Sequence, residues 1–142
     1  MILIDANLLV YATVPSLPQH LAANRWLNDQ LSGHARVGLP WPALIAFLRV
    51  VINARAFRPA HSIQSAWSVV ESWLETPNVW IPRPTERHRE VFGTVLARLG
   101  GGPNLIPDAH LAALAIEHGL TLCSTDGDFA RFPGLKWLNP LL

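Results

Sequence analysis

The sequence predicts an α/β protein, a three-layer α/β/α sandwich built on a short, mostly parallel central sheet. Short apolar runs alternate with segments of helical period along the whole chain, which is the pattern of strand–helix–strand units. The first of these runs, Ile2-Leu3-Ile4, is continuously apolar, as a strand covered on both faces must be. No internal repeat and no low-complexity linker divides the 142 residues, a length suited to one domain with a sizeable core. The whole chain, 1–142, is therefore expected to fold as a single unit.

Taken in order, Ile2 to Ile4 forms the first strand and stops at Asp5, and a helix follows from about Asn7. Leu17, Leu21, Leu27 and Leu31, with Trp26 beside them, share one face of a second helix that ends before Ser32-Gly33. A short strand at Arg36 to Leu39 leads through Pro40-Trp41-Pro42 into a mostly buried helix from Ala43 to Ile52. Ile63, Ala66, Trp67, Val70, Trp73 and Leu74 keep helical spacing and define the next helix, which Pro77 closes. Val79-Trp80-Ile81 reads as a strand between Pro77 and Pro82. Thr85 is a suitable N-cap for a helix carrying Val91, Phe92, Val95, Leu96 and Leu99, which Gly100-Gly101-Gly102-Pro103 terminates. Pro107 suits the first turn of a helix that bears Asp108, Leu111, Ala112, Ala115 and Ile116 and stops at Gly119. The strand Thr121 to Ser124 runs into Thr125-Asp126-Gly127-Asp128-Phe129, and a last short strand lies at Lys136 to Leu138.

Composition narrows the function classes. Half of the residues are hydrophobic, 15% are charged and the net charge is +1, so the chain is globular, and any binding of nucleic acid must come from a local cluster of arginines. Cys123 stands alone, which excludes an intrachain disulfide and a cysteine-based zinc site and fits a reducing compartment. The start of the chain has no basic leader and meets Asp5 at once, unlike a signal peptide. Its longest apolar stretch, Val37 to Leu48, is broken by two prolines and falls short of the roughly 18 to 20 residues of a membrane span. A cytoplasmic protein with no membrane association is expected. The triple glycine precedes no phosphate-binding lysine and opens no dinucleotide fingerprint, so it reads as a loop.

The chemistry is expected at the carboxyl edge of the sheet. Two strands end in an aspartate, Asp5 and Asp126, and in open parallel sheets the functional crevice lies beyond the carboxyl ends of the strands. Asp108 opens the helix that leads into the second of them, and a right-handed crossover places that helix start at the same edge. Three of the five aspartates thus converge, while Asp29 reads as an exposed helix residue. Like charges this close resist ionising together unless a cation neutralises them. Mg²⁺ (or Mn²⁺) suits hard carboxylate oxygens, keeps water and substrate phosphate in its remaining positions, and supports phosphodiester hydrolysis. Each acid has an ordinary structural role open to it as well: a helix cap for Asp5, a favourable helix-dipole charge for Asp108, a turn for Asp126.

These residues resemble the PIN-domain family, and within it the VapC-type ribonuclease toxins of bacterial toxin–antitoxin pairs. The resemblance rests on Ile2-Leu3-Ile4-Asp5-Ala6-Asn7, on Asp108 to Gly119, and on Thr121 to Phe129 with its Thr-x-Asp-x-Asp-Phe pattern, and it spans essentially the whole chain. It implies a PIN-like fold, an RNA substrate, a homodimer and a neutralising VapB-like antitoxin. By the same resemblance Asp5 and Asp108 are the main metal ligands, Asp126 a further or water-mediated one, and Asn7 and Thr125 orient water or phosphate. One position departs: where the family carries a glutamate, Ala46-Phe47-Leu48-Arg49 offers Phe47, and no acid lies between Arg36 and Glu71. Asp128 is the candidate to compensate, and a glutamate restored at 47 is expected to raise metal affinity. His110 is expected to be a satisfied helix residue. Arg49, Arg55 and Arg58 are either phosphate contacts or solvated surface charge. Trp67 and Trp73 are expected in the core, with Trp26, Trp41 or Trp80 available for an interface. Two other readings compete with the nuclease: a PIN-like module that binds RNA or protein without cutting, suggested by Phe47, and a phosphoaspartyl phosphatase on Asp5, which lacks its second acid at Asn7.

Overall fold

A computed structural model describes all residues, 1–142. Five strands form one sheet in the order β3-β2-β1-β4-β5, and every pairing is parallel. The strands are β1 (Ile2–Ile4), β2 (Val37–Gly38), β3 (Val79–Trp80), β4 (Thr121–Cys123) and β5 (Trp137–Leu138). Six helices connect them: α1 (Ala6–Thr13), α2 (His20–Leu31), α3 (Trp41–Val51), α4 (Ile63–Leu74), α5 (His88–Arg98) and α6 (Leu105–His118). A parallel sheet cannot be closed by hairpins, so each strand hands over to a helical crossover that covers one face.

The period of two along a strand sorts the core into two layers. Ile4, Val37 and Cys123 pack under α1 to α4 together with Leu8, Leu44 and Phe47, while Leu3 and Leu122 pack under α5 and α6 with Leu114 and Phe129. Adjacent residues Leu3 and Ile4 are thus both fully buried, on opposite sides. This is the three-layer α/β/α sandwich that the apolar runs predict.

Most element boundaries fall where the residues place them. α6 ends in a left-handed Gly119, φ 68°, a conformation only glycine adopts freely. Three expectations need correction. Leu17 lies in the turn before α2, and Leu21 is exposed, so the leucine spacing overstates that helix's apolar face. Trp67 is 40% exposed whereas Trp73 is buried against the ring of Phe47. Thr85 is not the N-cap of α5, which begins three residues later; its hydroxyl accepts from the Arg87 amide at 3.1 Å in the turn leading into the helix, while its own amide donates to Glu117 Oε1 at 2.8 Å.

Candidate active site

The strand order reverses direction between β1 and β4. At such a switch point the crossovers leave in opposite directions and open a crevice at the carboxyl edge. Asp5 follows β1 directly, and Ser124, Thr125 and Asp126 follow β4, so the register Ile4↔Cys123 sets the two chain segments side by side. The Asp5 amide even continues the ladder, donating to the Cys123 carbonyl at 3.0 Å.

Asp5 has both of the roles open to it. Its Oδ1 accepts from the Ala6 amide at 2.8 Å and caps α1, and its Oδ2 accepts from the Ser124 hydroxyl at 2.8 Å. Capping fixes the carboxylate's direction without using all of its lone pairs. Ser124 is the only fully buried polar residue of the chain. Besides donating to Asp5, its oxygen accepts from Asn7 Nδ2 at 3.1 Å and from the Asp126 amide at 3.0 Å. One hydroxyl therefore ties together the ends of β1 and β4 and the first turn of α1.

Asp126 caps a single 3₁₀ turn, Gly127–Arg131, through an Asp128 amide donation of 2.9 Å. Asp128 sits at the rim, half exposed, 3.6 Å from Arg131. Asp108 enters from the first turn of α6, where no protein group donates to it and no cation pairs with it. Its pKa is pushed up to about 6 from the ordinary 3.8, by burial first and then by the charges of Asp5, Asp126 and Asp128. Burial also raises Asp5, against the lowering effect of its bonds from Ser124 and Ala6. The charges of Asp5, Asp126 and Asp128 thus all reach Asp108 at the carboxyl edge of the sheet.

The donor set fits a hard divalent cation: oxygen atoms only and excess negative charge, with Arg131 at the rim beside Asp128 and no cation from the chain at Asp5, Asp108 or Asp126. No three carboxylate, imidazole or thiol groups stand close enough to close a ready-made cage, which suits an ion that keeps several waters and takes few direct protein ligands. Burial pushes the Cys123 thiol up to about 12, so it offers no thiolate. Asp5, Asn7 and Asp126 line one open cavity of about 490 Å³ with Val10, Tyr11, Leu17, Val50 and Phe57.

The structure adds one residue to this site and changes one expectation. Thr125 makes no side-chain hydrogen bond, and the inward hydroxyl belongs to Ser124. The strand ends at Cys123, and Ser124 just beyond it is fully buried while Thr125 is partly exposed. A small hydroxyl at the end of a buried strand, two residues before an acid, was the signal for it. Phe47 does not face the site: it is fully buried and its ring lies 4.9 Å from that of Trp73. His110 is satisfied as expected, 3.1 Å from His88 Nε2, with His88 Nδ1 in turn 2.9 Å from Glu117.

Comparison with known proteins agrees with this geometry. The model of the PIN domain family matches residues 2–135. Ribonuclease VapC33 of Mycobacterium tuberculosis is 41% identical over 141 residues, covering 99% of each chain. Ribonuclease VapC37 of the same species is 40% identical over 138 residues, 97% of this chain and 96% of that one. Among solved structures, Mycobacterium tuberculosis VapC20, described as a sarcin-ricin loop cleaving toxin, superposes with a TM-score of 0.69 at 19% identity over 96% and 99% of the two chains. A chain of VapBC2 from Rickettsia felis, bound to a promoter DNA fragment, gives 0.68 at 18% identity over 98% of each.

Proposed function

The chain belongs to the PIN-domain family, among the VapC-type ribonucleases, and on that premise we propose that it is a metal-dependent endoribonuclease toxin. It cuts RNA phosphodiesters in the cytoplasm with Mg²⁺ or Mn²⁺, is held inactive by a VapB-like antitoxin, and assembles as a homodimer. The observation that carries the catalytic reading is the acid cluster at the β1/β4 switch point, where Asp108 has no cation partner and burial with the neighbouring charges pushes it up to about 6.

Asp5 and Asp108 would hold the ion, with Asp126 a further or water-mediated ligand and Asp128 a rim charge. When bound, the ion supplies charge for the developing oxyanion and acidifies the attacking water. The protein's own contribution is orientation. Ser124 and the Ala6 amide lock the Asp5 carboxylate in one direction, and Asn7, fastened to the same hydroxyl, presents its remaining amide valences to water or phosphate. Thr125 is retained only as a partly buried polar neighbour that can meet substrate. The α1 N-terminus beside Asp5 adds a positive helix-dipole end where an anionic phosphate must sit.

Asp5→Asn tests the reading, because Asn retains the cap acceptor while removing the charge. Mg²⁺-dependent RNA cleavage is expected to disappear with the circular dichroism spectrum unchanged. Cleavage at the wild-type rate would refute the assignment. Wild-type cleavage lost in EDTA and restored by Mn²⁺ separates an enzyme from a module that merely binds RNA.

A further inference from the structure

The cavity at the acid cluster has an unlike lining: Asp5, Asn7 and Asp126 are polar, and Tyr11, Phe57 and Val50 are aromatic or apolar. The helix period explains the change: Asn7 and Tyr11 are four residues apart on α1, so one face carries an amide beside the carboxylates and, about one 5.4 Å turn further on, an aromatic ring. Tyr11 and Phe57 are each partly buried against the core beneath α1 to α4. Their remaining surface lines the cavity. Val50, 40% exposed, completes the wall.

An apolar wall open to water does nothing for a metal ion, which needs oxygen donors. It suits a flat, apolar partner attached to whatever meets the acids. The charge around it narrows the class. Arg49, Arg55 and Arg58 are sequence neighbours of Val50 and Phe57, all three are exposed, and none is in an ion pair. Acids for an ion-bound phosphate, rings for a base and free arginines for the flanking phosphates are the three parts of a single-stranded polynucleotide. We infer that Tyr11 and Phe57 stack an unpaired nucleobase next to the scissile phosphate, so that this wall selects the single-stranded segment that is cut. The inference rests on the ribonuclease reading of the same site and names how its substrate is seated.

The test uses the full chain and a short single-stranded oligoribonucleotide carrying 2-aminopurine, read in EDTA and, by rapid mixing, in Mg²⁺ before cleavage. Stacking quenches the probe. Tyr11→Leu and Phe57→Leu, which keep apolar packing, are expected to relieve the quench and weaken binding by roughly 5- to 150-fold. An abasic nucleotide at the same place should cost the wild type that factor and cost the double variant nothing further. Because each protein is compared with itself on the two oligonucleotides, a partly unfolded variant does not mimic the result. Binding without quenching, no binding, or an equal abasic penalty in the double variant would overturn the inference and leave the wall to a protein segment. A probe that stacks but is never cut would instead overturn the ribonuclease reading alone.

Discussion

Phe47→Glu separates the family pattern from the physics of this particular chain. Aligned by motif, position 47 is where a glutamate would join the metal site, so its restoration should tighten Mg²⁺ binding. The fold places it elsewhere: Phe47 is fully buried, packs on Trp73 and belongs to the core under α1 to α4. Removing a buried phenyl ring costs about 3 to 5 kcal/mol, and a carboxylate enclosed there without a partner adds several kcal/mol more or stays protonated. The sum approaches the roughly 5 to 15 kcal/mol that hold an ordinary domain together. Guanidinium unfolding should show the midpoint collapse, with the protein largely insoluble or unfolded at 37 °C, whereas Phe47→Leu should be far milder. Val50→Glu gives the contrast, since Val50 is 40% exposed where it lines the open cavity; this acid should leave folding intact. A folded Phe47→Glu protein with wild-type stability and tighter Mg²⁺ binding would refute the reasoning.

Ser124→Ala removes a donor to Asp5 and an acceptor for Asn7 and for the Asp126 amide; a stability loss of about 2 to 4 kcal/mol and a fall in Mg²⁺-dependent cleavage are expected, and Ser124→Thr should recover part of both. The metal-free protein should lose stability as pH rises from about 4 to 6. Asp108 is raised to about 6 from 3.8, so in that window the folded state keeps a proton that the unfolded chain has released. Denaturant midpoints at pH 5 and pH 7 in EDTA measure this, and either Asp108→Asn or saturating Mg²⁺ should flatten the difference. Glu117→Ala strips the partner from His88 and from the Thr85 amide, at a cost of about 3 kcal/mol. Because Glu117 lies about 13 Å along α6 from Asp108, calorimetry should find Mg²⁺ affinity unchanged.

The architecture and three of its acids were legible because they depend on local patterns. Ile2-Leu3-Ile4 and Thr121-Leu122-Cys123 are too apolar to be anything but central strands, and an aspartate after each can only emerge at the shared edge. What could not be read was which way a side chain turns once the strand has ended. Ser124 and Thr125 are chemically alike, and only the point where the ladder stops decides that the first is fully buried and donates to Asp5 while the second stays partly exposed. Phe47 failed for a related reason. A motif aligns positions along a helix, but the bearing of a residue around α3 is set by what packs beneath it, and Trp73 from α4 supplies that contact. Likewise Trp67 and Trp73 satisfy the same helical spacing, yet α4 buries only the second.

The acid cluster also shows why capping and catalysis need not compete for one residue. Had Asp5 only capped α1, its second oxygen would face water and a serine or threonine would serve equally. Instead that oxygen meets Ser124 in a site where burial disfavours its charge, and a neutral cap would avoid the penalty altogether. The retained carboxylate is thus the costlier choice for folding alone, and so is Asp108, which burial and neighbouring charge push up to about 6 and which meets no cation from the chain. On the proposed metal-dependent reading, Asp5 and Asp108 are carboxylates held against the cost of burial at one switch point, and a divalent cation would offset that cost; its removal should therefore cost this fold stability as well as activity.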